Sequence, residues 1–295
     1  MEQTMTIKGR KRVSREEIIK VQEKANRKAM TVRRVRTGAL IAANVLVSLF
    51  VLLPLLYAVS VAFMPPGELF TTEMNLVPRQ PTWDNFRQAL VKISLVRFVC
   101  NSFITAGLIT AGQIISCSLA AFSFSFLEFK GKNALFMLVM ATMMIPGEAT
   151  IISNYLTVSR WNWLDSYQVL IVPYLTSAMG IFLFRQFYKS FPISLYESAK
   201  IDGASQMKIF WRIVVPISKP VFATIALFLT FGYWNDWFQS ALYISDSKLV
   251  SLQALLNNMM KNLEYIANNP SAGLSLQQYR NSMPSESVRM AIAII

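Results

Sequence analysis

Histidine is absent from this 295-residue chain, and cysteine occurs only twice, as Cys100 and Cys117. Without imidazole the chain lacks the usual ligand for zinc, copper or haem and the usual general base. Cofactor-bearing and hydrolytic enzymes are therefore poor readings, and no metal site is expected. The two cysteines lie 17 residues apart in one apolar run. That is too far for a bond within a single helix, so both read as buried small apolar residues. No G-x-x-x-x-G-K-[ST] loop occurs either, so the chain has no phosphate cradle of that kind for ATP and no cofactor of its own is expected. Charge is scarce: 15% of residues are Asp, Glu, Lys or Arg, against 54% hydrophobic. With a mean hydropathy of +0.39, this is more apolar surface than a globular core needs, and it places the chain in the membrane class.

The charge that is present is unevenly placed. Twelve of the 29 Lys and Arg lie in residues 1–36, directly before an uncharged apolar run. A membrane surface explains this net charge of +13 more simply than nucleic acid does, so lipid is an expected partner and nucleic acid is not. Residues 1–36 read as a basic N-terminal segment, with Ser14-Arg15-Glu16-Glu17 opening an amphipathic helix that lies on the membrane face. Residues 37–295 read as the transmembrane domain. Thr37–Phe63 offers 27 residues without a charge, enough to cross about 30 Å of hydrocarbon, with a kink expected at Pro54. Further spans are expected at Phe98–Leu127, Asn133–Tyr155, Tyr167–Phe184 and Val221–Ser245. Pro146 and Gly147 should break the third of the five and act as a gating kink. Trp161 and Trp163 mark an aromatic belt in a turn at 156–166.

Lys and Arg decide the orientation. Segments 1–36, 128–132 and 185–220 hold 20 of them, whereas 64–97, 156–166 and 246–286 hold 8. The N-terminus is therefore expected inside the cell, with 185–220 on the same side and 64–97 and 246–286 as outer loops. Leu252, Leu255, Leu256 and Met259 form an amphipathic stripe in the second outer loop. At Ser287 another span starts, and the sequence stops at Ile295 before that span is complete.

The inner stretch Pro192–Pro216 carries the most specific signal. Ser194 and Glu197 are spaced as a capping box, predicting a helix from Leu195 to Asp202 that Gly203 ends. Met207, Phe210, Trp211 and Val214 then fall at i, i+3, i+4 and i+7, predicting a second helix stopped by Pro216. Ser198, Ala199, Asp202 and Gly203 give the first helix a small-residue face that lets another backbone approach. Two connecting helices of no further role are the alternative.

The spacing Glu197-Ser198-Ala199-x-x-Asp202-Gly203-Ala204, followed by Phe210, Ile213 and Pro216, resembles the cytoplasmic coupling loop of binding-protein-dependent ABC importers. It is most similar to the carbohydrate permeases of the maltose-transporter second-subunit kind. Ser198 departs from that family's usual alanine, a small-for-small change. The resemblance implies an all-α polytopic bundle of the type I importer kind, with five complete spans and the start of a sixth, in a bacterial inner membrane. It implies a second homologous permease, two ATP-binding subunits that bind ATP and Mg, an extracytoplasmic solute-binding protein, and an oligosaccharide substrate. Alginate or pectin fragments are the branch it suggests. Glu197, Ser198, Ala199, Asp202, Gly203, Ala204, Phe210 and Pro216 become the coupling residues, seated in a cleft of the ATPase.

Ionisable groups inside spans are costly and need a reason. Asp236, in the run Trp234-Asn235-Asp236-Trp237, lies roughly 22 Å along its helix at 1.5 Å per residue. Aromatic faces beside amide and carboxylate groups suit sugar rings, and Glu148 and Gln113 are further candidates for the pathway. Asp236 capping a helix within a tryptophan belt is the plainer alternative. Arg185 is expected to reach lipid phosphates. A different class, an ion-coupled secondary transporter, would use Asp236 and Glu148 as proton or sodium sites.

Overall fold

The computed structural model describes residues 15–65, 67–68, 77–91, 93–268 and 285–294. Residues 1–14, with the first basic cluster, and the tip expected after Asn268 lie outside these. Among the described residues the chain is helical throughout, with no strand. α1 (Arg15–Phe63) runs as one helix of 49 residues through Pro54. The N-terminal segment does not form a separate surface helix but continues directly into the span, so the boundary at residue 36 is one of composition only.

Three helical stretches, Arg33–Phe63, Leu95–Phe126 and Tyr167–Lys189, are long and apolar enough to cross a membrane, and the number becomes five if each of two bent pairs is one crossing. α3 (Leu95–Phe126) is the central post. α4 (Lys132–Thr142) and α5 (Gly147–Arg160) form the first bent pair, turned by 94°. The Pro146-Gly147 break is thus a sharp corner: Pro146 cannot donate a backbone hydrogen bond and takes the N-cap position of α5. α5 also runs five residues into the expected turn, to Arg160.

The span expected at Tyr167–Phe184 is interrupted. α6 (Tyr167–Ile171) tightens into a 3₁₀ turn at Val172–Tyr174 before α7 (Ala178–Lys189). Pro173 lies in that turn, where its fixed φ is tolerated. The span expected at Val221–Ser245 is also two pieces, α11 (Lys219–Trp234) and α12 (Phe238–Tyr243), broken at the Asn235–Trp237 run.

α3, α7 and α11 pack closely. A Cβ added at Gly180 would stand 2.9 Å from Cys117 Sγ, so glycine is what lets α7 approach α3. Cys117 is buried as expected, and its sulfur also accepts from Ser177 N–H at 3.4 Å. Cys100 is exposed, contrary to expectation. A buried cluster of Phe122, Phe184, Tyr188, Tyr196, Phe210 and Val214 holds one end of the bundle together. Arg185 does not reach outward. Its Nε donates to Phe124 O (3.4 Å) and its guanidinium lies 3.8 Å from the Phe136 ring centre.

At the other end, α2 (Asp84–Val91), α13 (Leu252–Asn268) and α14 (Glu286–Ile294) pack around α1 and α3. Leu252 is buried, and Leu255, Leu256 and Met259 pack against the same core, so the stripe read from the sequence is the packed face of α13. Buried asparagines tie the loops down. Asn85 donates to Ala62 O and Met64 O, both at 2.8 Å. Asn101 donates to Lys248 O and Val250 O at 2.9 Å and accepts from the Tyr167 hydroxyl at 2.7 Å.

Candidate functional site

The connector between α7 and α11 begins with α8 (Ile193–Ile201). No capping box forms: Pro192 occupies the N-cap and makes no side-chain bond. Gly203 ends the helix with φ +75°, a left-handed conformation that favours glycine, and no atom stands within 4 Å of where its Cβ would be. Ser205 then caps the next turn, its Oγ accepting from Lys208 N–H at 3.4 Å. This Ser-x-x-Lys start after a glycine was readable as an N-cap.

The second connector helix departs from the predicted period. α9 (Gln206–Ile209) passes into a π turn at Phe210–Val214 and then α10 (Val215–Ile217). The wider turn shifts the register, so Ile209, Phe210 and Val214 are buried while Met207 and Trp211 are exposed. Pro216 is exposed within α10 and does not end the helix, which turns by 78° at Ser218 into α11.

The connector is bolted to the bundle. Tyr196 stacks on Phe126 (4.9 Å between ring centres), Phe210 meets Phe122 (5.3 Å), and the Tyr196 hydroxyl donates to Gln206 Oε1 at 3.0 Å. Burying a ring the size of Phe210 contributes on the order of 2 kcal/mol. Of the predicted coupling residues, Ala199 and Phe210 therefore face inward and anchor, and Ala204 is half-buried. Glu197, Ser198, Asp202 and Gly203 form the open face. Ile201 projects from that face with 86% of its surface exposed. Sequence reasoning missed it, although an isoleucine between Lys200 and Asp202 in a polar connector is a visible anomaly.

A second set of predicted residues converges in the bundle. Gln113, Asn235, Asp236 and Trp237 line a cavity of ≈430 Å³ with Tyr233, and Gly147 and Glu148 line another of ≈510 Å³ with Asn154, Tyr174 and Gln239. A third cavity, a neck of only ≈20 Å³, shares Tyr233 and Asp236 with the first and Tyr174 and Gln239 with the second. Gln113 is buried at this neck and its Nε2 donates to Tyr174 O (2.7 Å) and to the Tyr233 hydroxyl (2.5 Å). Asp236 Oδ1 accepts from Phe238 N–H (2.9 Å) and Gln239 N–H (3.2 Å), so it caps α12 while lining the first cavity and the neck. Trp234 is placed elsewhere: its ring meets Phe103 at 4.8 Å and lines neither cavity. Tyr174 and Asn154 were not singled out from the sequence, because neutral polar residues in apolar runs carry no local signal.

The family described as "binding-protein-dependent transport system inner membrane component" matches residues 104–277, a range that takes in most of α3, both cavities and the connector. The chain belongs to that family. Protein LplC of Bacillus subtilis is 33% identical to this permease over 245 residues, covering 83% of the chain and 80% of LplC. The polygalacturonan/rhamnogalacturonan transport system permease protein YtcP of the same organism is 29% identical over 249 residues, 84% of this chain and 85% of YtcP. The sn-glycerol-3-phosphate transport system permease protein UgpE of Yersinia enterocolitica is 34% identical over 221 residues, 72% of this chain and 78% of UgpE. A crystal structure of a bacterial ABC transporter involved in the import of the acidic polysaccharide alginate shares the fold, with TM-score 0.74, 21% identity, and 89% and 92% of the two chains covered. For this inner-membrane component, the family places a binding protein upstream of the pathway.

Proposed function

We propose that this permease imports a sugar or oligosaccharide, forming the pathway with a second permease and taking its driving force from ATP-binding partners seated on the 192–216 connector. The observation that carries the reading is the connector's construction. An open face of Glu197, Ser198, Ile201, Asp202 and Gly203 stands on a base anchored by Tyr196, Ala199 and Phe210. Such a piece moves as a unit, so a push at its open face reaches α7 and α11 directly. Those two helices carry Ser177 and Tyr233 of the cavity walls. Among the relatives of this chain, the name of YtcP supports a saccharide as cargo.

Cavities with aromatic faces, amides and carboxylates fit polyols, whose C–H faces stack while hydroxyls hydrogen-bond. The ATPase chemistry falls to partner subunits, since the chain carries no phosphate loop of its own. An ion-coupled transporter using Asp236 and Glu148 is the competing reading. Asp236 already accepts two backbone N–H groups at the start of α12, so its carboxylate is engaged in holding the helix end. Uptake should therefore persist when ionophores collapse the proton and sodium gradients with ATP held constant. It should stop when the phosphate-loop lysine of the ATP-binding partner is replaced. Uptake that follows the ion gradient and ignores that lysine would refute the proposal.

A further inference from the structure

We infer that this permease's share of the pathway is built for an uncharged, polyhydroxylated sugar chain, not for the acidic cargoes that the relatives' names carry. The inference rests on the sugar-import reading above and deepens it. Each of the two large cavities has one carboxylate in its wall, Glu148 in one and Asp236 in the other, and Asp236 also lines the neck between them. Among the described residues no lysine or arginine lines either cavity or the neck, nor the adjoining ≈530 Å³ cavity beside Trp161 and Trp163. Among the described residues neither carboxylate is in an ion pair. Lys261 is the cation to consider. Its ammonium lies 4.8 Å from the Trp237 ring centre, held against the aromatic face, and it is not part of the cavity wall.

The chemistry of such a lining is selective by sign. Recognition of a uronate or phosphate relies on guanidinium or ammonium groups that meet the anion directly. Here an anion would pass two negative groups with no positive partner, in surroundings of low dielectric where like charges repel strongly. A neutral sugar reverses the balance. Its hydroxyls donate to the carboxylates and exchange bonds with Asn154 and Gln239, while its C–H faces stack on rings such as Tyr174.

The test is uptake of radiolabelled sugars by a host strain lacking this chain, with and without the chain restored. The panel is neutral trisaccharides of glucose, galactose, xylose, arabinose and mannose, set against galacturonate and alginate trisaccharides. Uptake dependent on this chain is expected for neutral sugars and at least roughly tenfold lower for the uronates. The Glu148→Gln, Asp236→Asn double variant should narrow that ratio by raising relative uronate uptake. Chain-dependent uptake that favours a uronate overturns this inference and leaves the import reading standing. Restoration of neither class overturns both.

Discussion

Replacing Gly203 by aspartate is expected to lower uptake by about tenfold or more while the amount of protein in the membrane stays unchanged. The side chain itself has room, since nothing stands within 4 Å of the Cβ position. Backbone strain at φ +75° costs roughly 1–2 kcal/mol for most residues and less for Asp and Asn, which visit this region most readily. What changes is the open face, where a second carboxylate joins Asp202 at the end of α8. On the proposed coupling, the ATPase cleft that accepts glycine at this point then meets an additional charge that must be desolvated, a penalty of several kcal/mol when unpaired. Gly203→Asn separates the two causes because it makes the same backbone demand without charge. It should retain most of the uptake that aspartate removes. Equal loss in both variants would place the effect in the turn and not in the docking face, and normal transport by Gly203→Asp would argue strongly against a coupling role.

Gln113→Leu is expected to have the second large effect. The amide is buried and its Nε2 makes both bonds that tie α3 to the neck, at Tyr174 O and the Tyr233 hydroxyl. Leucine fills similar space but leaves a carbonyl and a phenol without that donor, at a cost of roughly 1–3 kcal/mol. The neck residues lose their common fixed point, and uptake should fall about tenfold. ATP hydrolysis should continue, because the connector cluster of Tyr196, Phe122 and Phe210 is untouched. Gln113→Glu is expected to lose the bond to Tyr174 O, since an ionised carboxylate cannot donate, while the Tyr233 hydroxyl can turn to donate to it, so uptake should fall less than with leucine. A variant in which uptake and hydrolysis fall together would indicate loss of fold and not loss of the gate.

The gross architecture was legible in the sequence because membrane spans are written as composition. Long uncharged runs located α3 within a few residues and the end of α1 at Phe63, though not its start at Arg15, and Pro146-Gly147 gave the corner of the α4–α5 pair. Breaks that depend on packing were not legible. The 3₁₀ turn at Pro173 and the π turn at Phe210–Val214 lie inside stretches whose apolar content looks continuous. The π turn also moved Met207 and Trp211 off the face that a regular helix would have buried. The connector was singled out by its spacing, yet which of its residues pack inward and which stay open was not legible. Small residues on one helix can be docking surface or packed base, and only the stacking of Tyr196 on Phe126 decides that Ala199 belongs to the base.

The pathway residues illustrate the same limit. Asp236 and Glu148 announced themselves as charges in apolar runs, whereas Gln113 became central only because folding brings Tyr174 and Tyr233, 61 and 120 residues away, to its amide. Trp234 was chosen for its neighbours in the chain, and its ring turned instead to Phe103. Asn85 and Asn101 bind loops through backbone carbonyls, contacts that no local pattern encodes.

The most direct test of the coupling account is crosslinking from position 201. An Ile201→Cys variant in a Cys100→Ser background leaves only buried Cys117 as a native thiol. Treated with a short bifunctional reagent in membranes that contain the whole transporter, it should form an adduct with an ATP-binding subunit, with a yield that changes between ATP-bound and ADP-bound states. Reaction with lipid or solvent alone, and with no nucleotide-binding neighbour in either state, would contradict the account.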